Sequence, residues 1–125
     1  VIEFQVIDVF SDMNAYANAR DMLQENGYRV LIDGLSPLSL QFFNPAQLQA
    51  DLIKINWGRE FENEDAEDRM EDMRAVIKGM GKNNVILART DSEHAVSWAL
   101  SLGITRFQGF FIDDLVEAMI AKGIL

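Results

Sequence analysis

The sequence contains no cysteine, only two prolines and a single histidine among its 125 residues. The absence of cysteine excludes disulfide bonds, thiolate catalysis and cysteine-ligated zinc. No apolar run reaches the ~20 residues that a membrane-spanning helix needs, and no secretory signal is visible. We therefore predict one compact domain without a membrane span, located in the cytoplasm.

Positive charge is also scarce. The chain has 11 lysine and arginine residues against 20 aspartates and glutamates, which gives a formal net charge of −9. General binding to DNA or RNA needs a basic face that neutralises a run of phosphates, and this composition offers none. We therefore expect no DNA or RNA partner, whereas a single small nucleotide needs only a few local donors.

Strand-like and helix-like stretches alternate along the whole chain. The predicted strands are nearly continuous apolar runs, which is typical of a parallel sheet covered by helices. Both an open doubly wound sheet and part of a (β/α)₈ barrel fit this pattern, and periodicity does not choose between them. The predicted strands are residues 1–7, 28–32, 51–56, 85–88 and 106–112, and the predicted helices are residues 11–26, 62–80, 92–102 and 113–122, with a loop over 35–50.

Polar residues stand at or near the ends of these strands. In either architecture the functional residues should lie at the carboxyl ends of the strands, where loops converge. Lys54 is notable because it interrupts an apolar strand, and a desolvated lysine is costly without a partner. It has either a site role or an outward-pointing surface position. The candidates are Asp33, Lys54, Asn56, Arg89 and Gln108, with Glu3 in the first strand as a further one.

Five short segments contain these residues. In sequence and in order, they resemble motifs of the second half of the EAL domain, the cyclic-di-GMP phosphodiesterase family. That family typically shows E-x-T-E, D-D-F-G, K-I-D, A-E-G-V-E and Q-G-Y or Q-G-F. The corresponding segments are Glu3-Phe4-Gln5-Val6, Asp33-Gly34-Leu35, Lys54-Ile55-Asn56, Ala88-Arg89-Thr90-Asp91 and Gln108-Gly109-Phe110.

The resemblance covers essentially the whole chain and implies a partial (β/α)₈ barrel of about five βα units. Residues 1–125 would then be the C-terminal part of an EAL-like domain and a fragment of a longer chain. A partial barrel leaves strand edges unpaired, which invites association. The resemblance therefore implies a bacterial signalling protein that binds a protein partner, or forms a homodimer, through an exposed sheet edge.

Departures from the family pattern imply that the metal site is lost. EAL enzymes use two divalent cations, Mg²⁺ or Mn²⁺, which prefer oxygen ligands. Gly34, Asn56 and Arg89 stand where the family has carboxylates, so no metal cofactor and no activity are expected. Glu3, Asp33, Lys54 and Gln108 still match the family pattern, and the resemblance implies that they are vestiges of a catalytic site. The expected ligand-binding residues are Arg89, Lys54 and Gln108.

The expected function is therefore that of a catalytically inactive EAL-like regulatory module that acts through protein–protein contact and is a candidate sensor of cyclic-di-GMP. Arg89 either holds a phosphate where a metal once lay or forms a salt bridge with Asp33. One alternative is an active metal-dependent phosphodiesterase completed by the missing N-terminal half. Another is an unrelated open α/β domain, which helices on both faces of the sheet would support.

Overall fold

A computed structural model describes residues 1–36, 39–56, 66–89 and 93–123. These residues form five strands and five α-helices, with two helices between β1 and β2 and only 3₁₀ helices between β2 and β3. The strands are β1 (Ile2–Gln5), β2 (Val30–Leu35), β3 (Leu52–Asn56), β4 (Val85–Ala88) and β5 (Arg106–Phe107). The α-helices are α1 (Val6–Ser11), α2 (Met13–Glu25), α3 (Ala66–Met80), α4 (Glu93–Ser101) and α5 (Phe110–Ala121). Short 3₁₀ helices lie at Ser39–Gln41, Pro45–Leu48 and Lys82–Asn84.

The strands form one sheet in the order β1-β2-β3-β4-β5, and every neighbouring pair is parallel. Crossovers between parallel strands are almost always right-handed. When the strand order never reverses, right-handed crossovers place successive helices on the same face of the sheet. A doubly wound sheet, by contrast, reverses its strand order at a switch point.

The hydrophobic core confirms this one-sided arrangement. Alternate strand residues, among them Ile32, Ile53, Ile55 and Leu87, are fully buried in a single cluster. Helices α1 to α4 all contribute to the same cluster, through Val9, Tyr16, Met73, Val76 and Ala99. The fold is thus an α/β arrangement of consecutive βα units, as an arc of a (β/α)₈ barrel has, and the two-sided alternative loses its support.

Several predicted boundaries are wrong. The first strand ends at Gln5, and residues 6–11 form a short helix instead of continuing the strand. The second strand continues through Asp33 to Leu35, with a register shift beyond Ile32. The last strand has two residues where the sequence predicts seven, because the chain turns at Gly109 and α5 begins at Phe110. The predicted acidic helix start at residues 62–65 and the residues Thr90 and Asp91 lie outside the described part of the chain.

Helix α5 exposes several of its apolar side chains. Leu115, Val116 and Ile120 are exposed, and none of the α5 residues whose side chains the structure describes belongs to the core cluster. None of the helices in the described ranges is long and apolar enough to cross a membrane.

Tyr16 provides a pH test of the packing of α2 against the loop after β2. Its hydroxyl donates a hydrogen bond to the Leu48 carbonyl at 2.9 Å, and burial raises the pKa of the phenol, which the nearby Arg20 partly opposes. Because the unfolded chain releases this proton more readily, we expect the free energy of unfolding to fall as pH rises above about 10. Urea denaturation of the wild type at several alkaline pH values measures this dependence.

The matched variants are Tyr16→Phe and Tyr28→Phe, because Tyr28 is exposed. Tyr16→Phe should cost about 1 kcal/mol at neutral pH and flatten the alkaline dependence. Tyr28→Phe should leave the stability at neutral pH and its alkaline dependence unchanged. Equal pH dependence in the wild type and Tyr16→Phe would contradict the assignment of this dependence to the buried Tyr16 hydroxyl.

Candidate functional site

A pocket of about 560 Å³ opens at the carboxyl ends of the strands, a volume within the usual range for small-molecule sites. Strands β1, β2 and β3, the residue after β4 and the segment after β5 each contribute polar side chains to it. The sequence-predicted residues that line the pocket are Asp33, Lys54, Asn56, Arg89 and Gln108. Residues that sequence reasoning missed are Gln5, Gly109 and Asp113.

Asp33 is fixed in position by two hydrogen bonds. Its Oδ1 accepts from the backbone N–H of Gly34 at 2.7 Å, and its Oδ2 accepts from the side-chain amide of Gln5 at 3.3 Å. Gly34 has a φ of 86°, in the left-handed region that glycine adopts at little cost. A side chain there would also crowd Gln5, since a Cβ would lie 3.2 Å from its Oε1. Position 34 is therefore poorly suited to the aspartate of the family pattern.

Lys54 lies in the middle of β3, on the face of the sheet without helices. Its side chain is only 12% exposed, so it is not a surface lysine, and its Nζ forms an ion pair with Glu3 Oε1 at 3.2 Å. This pair offsets the desolvation of the ammonium group. Glu3 itself does not line the pocket, because it lies two residues before the end of β1 and meets Lys54 from a neighbouring groove.

Arg89 is the residue immediately after β4, and its side chain is exposed. Its φ of 57° is unusual for a residue with a side chain, and such conformations cost free energy and cluster at functional sites. Among the described residues, no ion pair joins Arg89 to Asp33 or to any other carboxylate. The salt-bridge interpretation of Arg89 is therefore not supported, and its guanidinium remains available to a ligand.

The turn between β5 and α5 closes one side of the pocket. The Gln108 backbone N–H donates to the Leu87 carbonyl at 2.9 Å, which holds this turn against β4. Asp113, in the first turn of α5, faces the same pocket. Its position was hidden in the sequence because the apolar residues at 110–112 read as a continuing strand, which moved the predicted helix start to Asp113. Gln5 was missed because the predicted first strand ran to residue 7.

The described lining of the pocket offers few ligands to a pair of divalent cations. Among the described residues, its lining carries two carboxylates, Asp33 and Asp113, beside the cations of Lys54 and Arg89. Mg²⁺ and Mn²⁺ prefer several oxygen ligands, and an arginine among them repels the metal. The part of the chain that the structure describes contains no group of three carboxylate, histidine or cysteine side chains placed to hold a metal ion.

The lining instead suits a ligand with mixed chemistry. Arg89 can hold an anionic group through two parallel hydrogen bonds. Carboxylates accept hydrogen bonds from ligand N–H groups, and the amide side chains of Gln5, Asn56 and Gln108 both donate and accept. A nucleotide combines these features, since it carries a phosphate together with a base that has donors and acceptors.

The fold and the pocket together define an α/β protein of consecutive βα units with a polar ligand pocket at the carboxyl ends of its strands. In comparisons with known proteins, no protein-family model, no curated protein and no solved structure matches the chain.

Proposed function

We propose that the chain is a catalytically silent EAL-like regulatory module that binds cyclic-di-GMP without a metal and acts on a protein partner. The observation that carries the proposal is the position of Arg89. It lies in the same pocket as Lys54, Asn56 and Gln108, and it makes no ion pair among the described residues. The order of the motifs along the chain supplies the link to the EAL family.

The pocket supports ligand binding without hydrolysis. In-line displacement at a phosphodiester by the two-metal route needs cations that stabilise both the attacking and the leaving oxygen. Here Arg89 and Asn56 occupy the carboxyl ends of β4 and β3 beside Asp33, and Lys54 is engaged by Glu3. A phosphate held by the guanidinium therefore has no metal-activated water to attack it.

The partner-binding half of the proposal is supported by the unpaired elements of the sheet. The sheet order ends at β1 and β5, so the outer edges of these strands have no strand partner among the described residues. Exposed parallel edges readily pair with another chain. Helix α5, which follows β5 in the chain, exposes Leu115, Val116 and Ile120. Exposed apolar side chains of this kind are a second candidate contact for a protein partner.

A turnover assay tests the catalytic silence. The chain is incubated with cyclic-di-GMP and Mn²⁺ at pH 8, and the nucleotide is followed by liquid chromatography with an active phosphodiesterase as positive control. We expect no linear dinucleotide at enzyme-to-substrate ratios where the control converts all of it. Product formation that depends on the added Mn²⁺ would contradict the proposal and favour the active phosphodiesterase.

A further inference from the structure

The two carboxylates in the described lining of the pocket differ in what they contact. Each oxygen of Asp33 already accepts a hydrogen bond, Oδ1 from the Gly34 backbone N–H and Oδ2 from the Gln5 amide. The Asp113 side chain is exposed and makes no hydrogen bond or ion pair with any other described residue. Both oxygens of Asp113 are therefore available to accept hydrogen bonds from a ligand in the pocket.

Asp113 and Arg89 reach the pocket from neighbouring strands. Arg89 directly follows β4, and Asp113 lies in the first turn of α5, which follows β5. Strands β4 and β5 are paired in the sheet, at the usual strand spacing of about 4.8 Å. The Gln108 backbone N–H donates to the Leu87 carbonyl at 2.9 Å, which holds the segment between β5 and α5 against β4. One positive and one negative side chain therefore line the pocket from adjacent elements.

These two opposite charges do not neutralise each other. No ion pair joins Arg89 to Asp113 among the described residues, so their charged atoms lie more than 4.0 Å apart. A ligand that places an anionic group at Arg89 and N–H donors at Asp113 makes charge-assisted hydrogen bonds with both. A nucleotide has this arrangement, because its sugar separates the phosphate from the base.

A carboxylate discriminates between bases because it only accepts hydrogen bonds. The Watson–Crick edge of guanine presents two adjacent donors, the N1–H and the 2-amino group, which match the two carboxylate oxygens. The same edge of adenine presents an acceptor, N1, beside its 6-amino donor, so one carboxylate oxygen would face a lone pair. An aspartate in this pocket therefore favours guanine over adenine.

We propose that Asp113 recognises the Watson–Crick edge of a guanine of the bound cyclic-di-GMP, while Arg89 holds the adjacent phosphate. Asp113 then determines the base specificity of the pocket, and Arg89 contributes equally to the binding of cyclic dinucleotides with any base. The inference rests on the proposed function, because it takes a cyclic dinucleotide as the ligand.

The test compares the affinities of the full chain for three ligands by calorimetric titration in EDTA. These are cyclic-di-GMP, cyclic-di-AMP and cyclic-di-IMP, whose bases lack only the 2-amino group of guanine. We expect the wild type to prefer cyclic-di-GMP over each of the others by about tenfold or more. Asp113→Asn should lose about 10- to 100-fold in affinity for cyclic-di-GMP and keep its affinity for cyclic-di-AMP within about threefold, because the asparagine amide both donates and accepts.

Asp114→Asn is the matched control, because Asp114 is the next residue of α5, is also exposed and does not line the pocket. It removes the same negative charge from the same helix end and should keep the wild-type preference for guanine. Arg89→Gly should weaken all three ligands by the same factor, since they share the phosphate. Asp113→Ala should also lose the preference, which separates the loss of the acceptor from the gain of an amide.

Three results would overturn the inference. If Asp113→Asn and Asp114→Asn keep the same preference for guanine, another residue recognises the base. If Asp113→Asn weakens all three ligands equally, the side chain supports the segment after β5 and does not select the base. In both cases, metal-free binding of cyclic-di-GMP by the wild type leaves the proposed function intact. If the wild type binds none of the three ligands, the proposed function and the inference are both wrong.

Discussion

Replacing Arg89 by glycine should weaken cyclic-di-GMP binding by about 10- to 100-fold while leaving the protein at least as stable. Hydrogen bonds to charged groups contribute about 1.5–3 kcal/mol, and each 1.4 kcal/mol changes affinity tenfold. Glycine suits this position because Arg89 has a φ of 57°, which glycine adopts without a steric cost. The change therefore removes the guanidinium without imposing strain on the turn after β4. Competition with a fluorescent cyclic-di-GMP analogue measures the affinity.

Two variants control this result. Arg74→Gly on α3 removes an arginine far from the pocket, and its nucleotide affinity should match that of the wild type. Its helix loses about 1 kcal/mol of stability because glycine is unfavourable inside a helix. Arg89→Lys keeps the charge but not the two-pronged geometry, and it should bind with intermediate affinity. Wild-type affinity in Arg89→Gly would show that the guanidinium does not hold the ligand.

Ile55→Ala should destabilise the protein by about 2–5 kcal/mol, the usual cost of truncating a fully buried aliphatic side chain. Ile55 lies in the central strand β3 and is 0% exposed, with the core cluster on all sides of its side chain. Typical domains have a total stability of only about 5–15 kcal/mol, so this single cavity removes a large share of it. Denaturant unfolding followed by circular dichroism measures the loss.

Ile55→Val serves as the milder variant, with an expected cost of about 0.5–1.5 kcal/mol. Leu100→Ala is the exposed control, because Leu100 lies on α4 with half of its surface in solvent. Its cost should stay below about 1 kcal/mol. If Ile55→Ala and Leu100→Ala cost the same, the sheet face that bears Ile55 is not the covered one.

The sequence was sufficient to predict the fold class because the strands are apolar on both faces and the helices between them show clear periodicity. Strand β4 is confirmed with its predicted bounds at Val85–Ala88. Helix α1 was missed because six residues are too few to display a helical period. Strand β5 was too long because the apolar residues at 110–112 fit a strand and a helix equally well, and the turn at Gly109 decided between them.

Half of the described pocket lining was predictable from one rule, that functional residues lie at or near the ends of parallel strands. That rule found Asp33, Lys54 and Arg89 in the sequence, and all three line the pocket. Asp113 was out of reach, because its position depends on where the turn after β5 directs α5.

Calorimetric titration of the unaltered chain with cyclic-di-GMP, in EDTA and again in Mn²⁺, tests the central claim most directly. The account predicts saturable binding of one nucleotide with the same affinity in both conditions, because Arg89 and its neighbours hold the ligand without a metal. Binding that appears only with Mn²⁺, or no heat of binding in either condition, would contradict it.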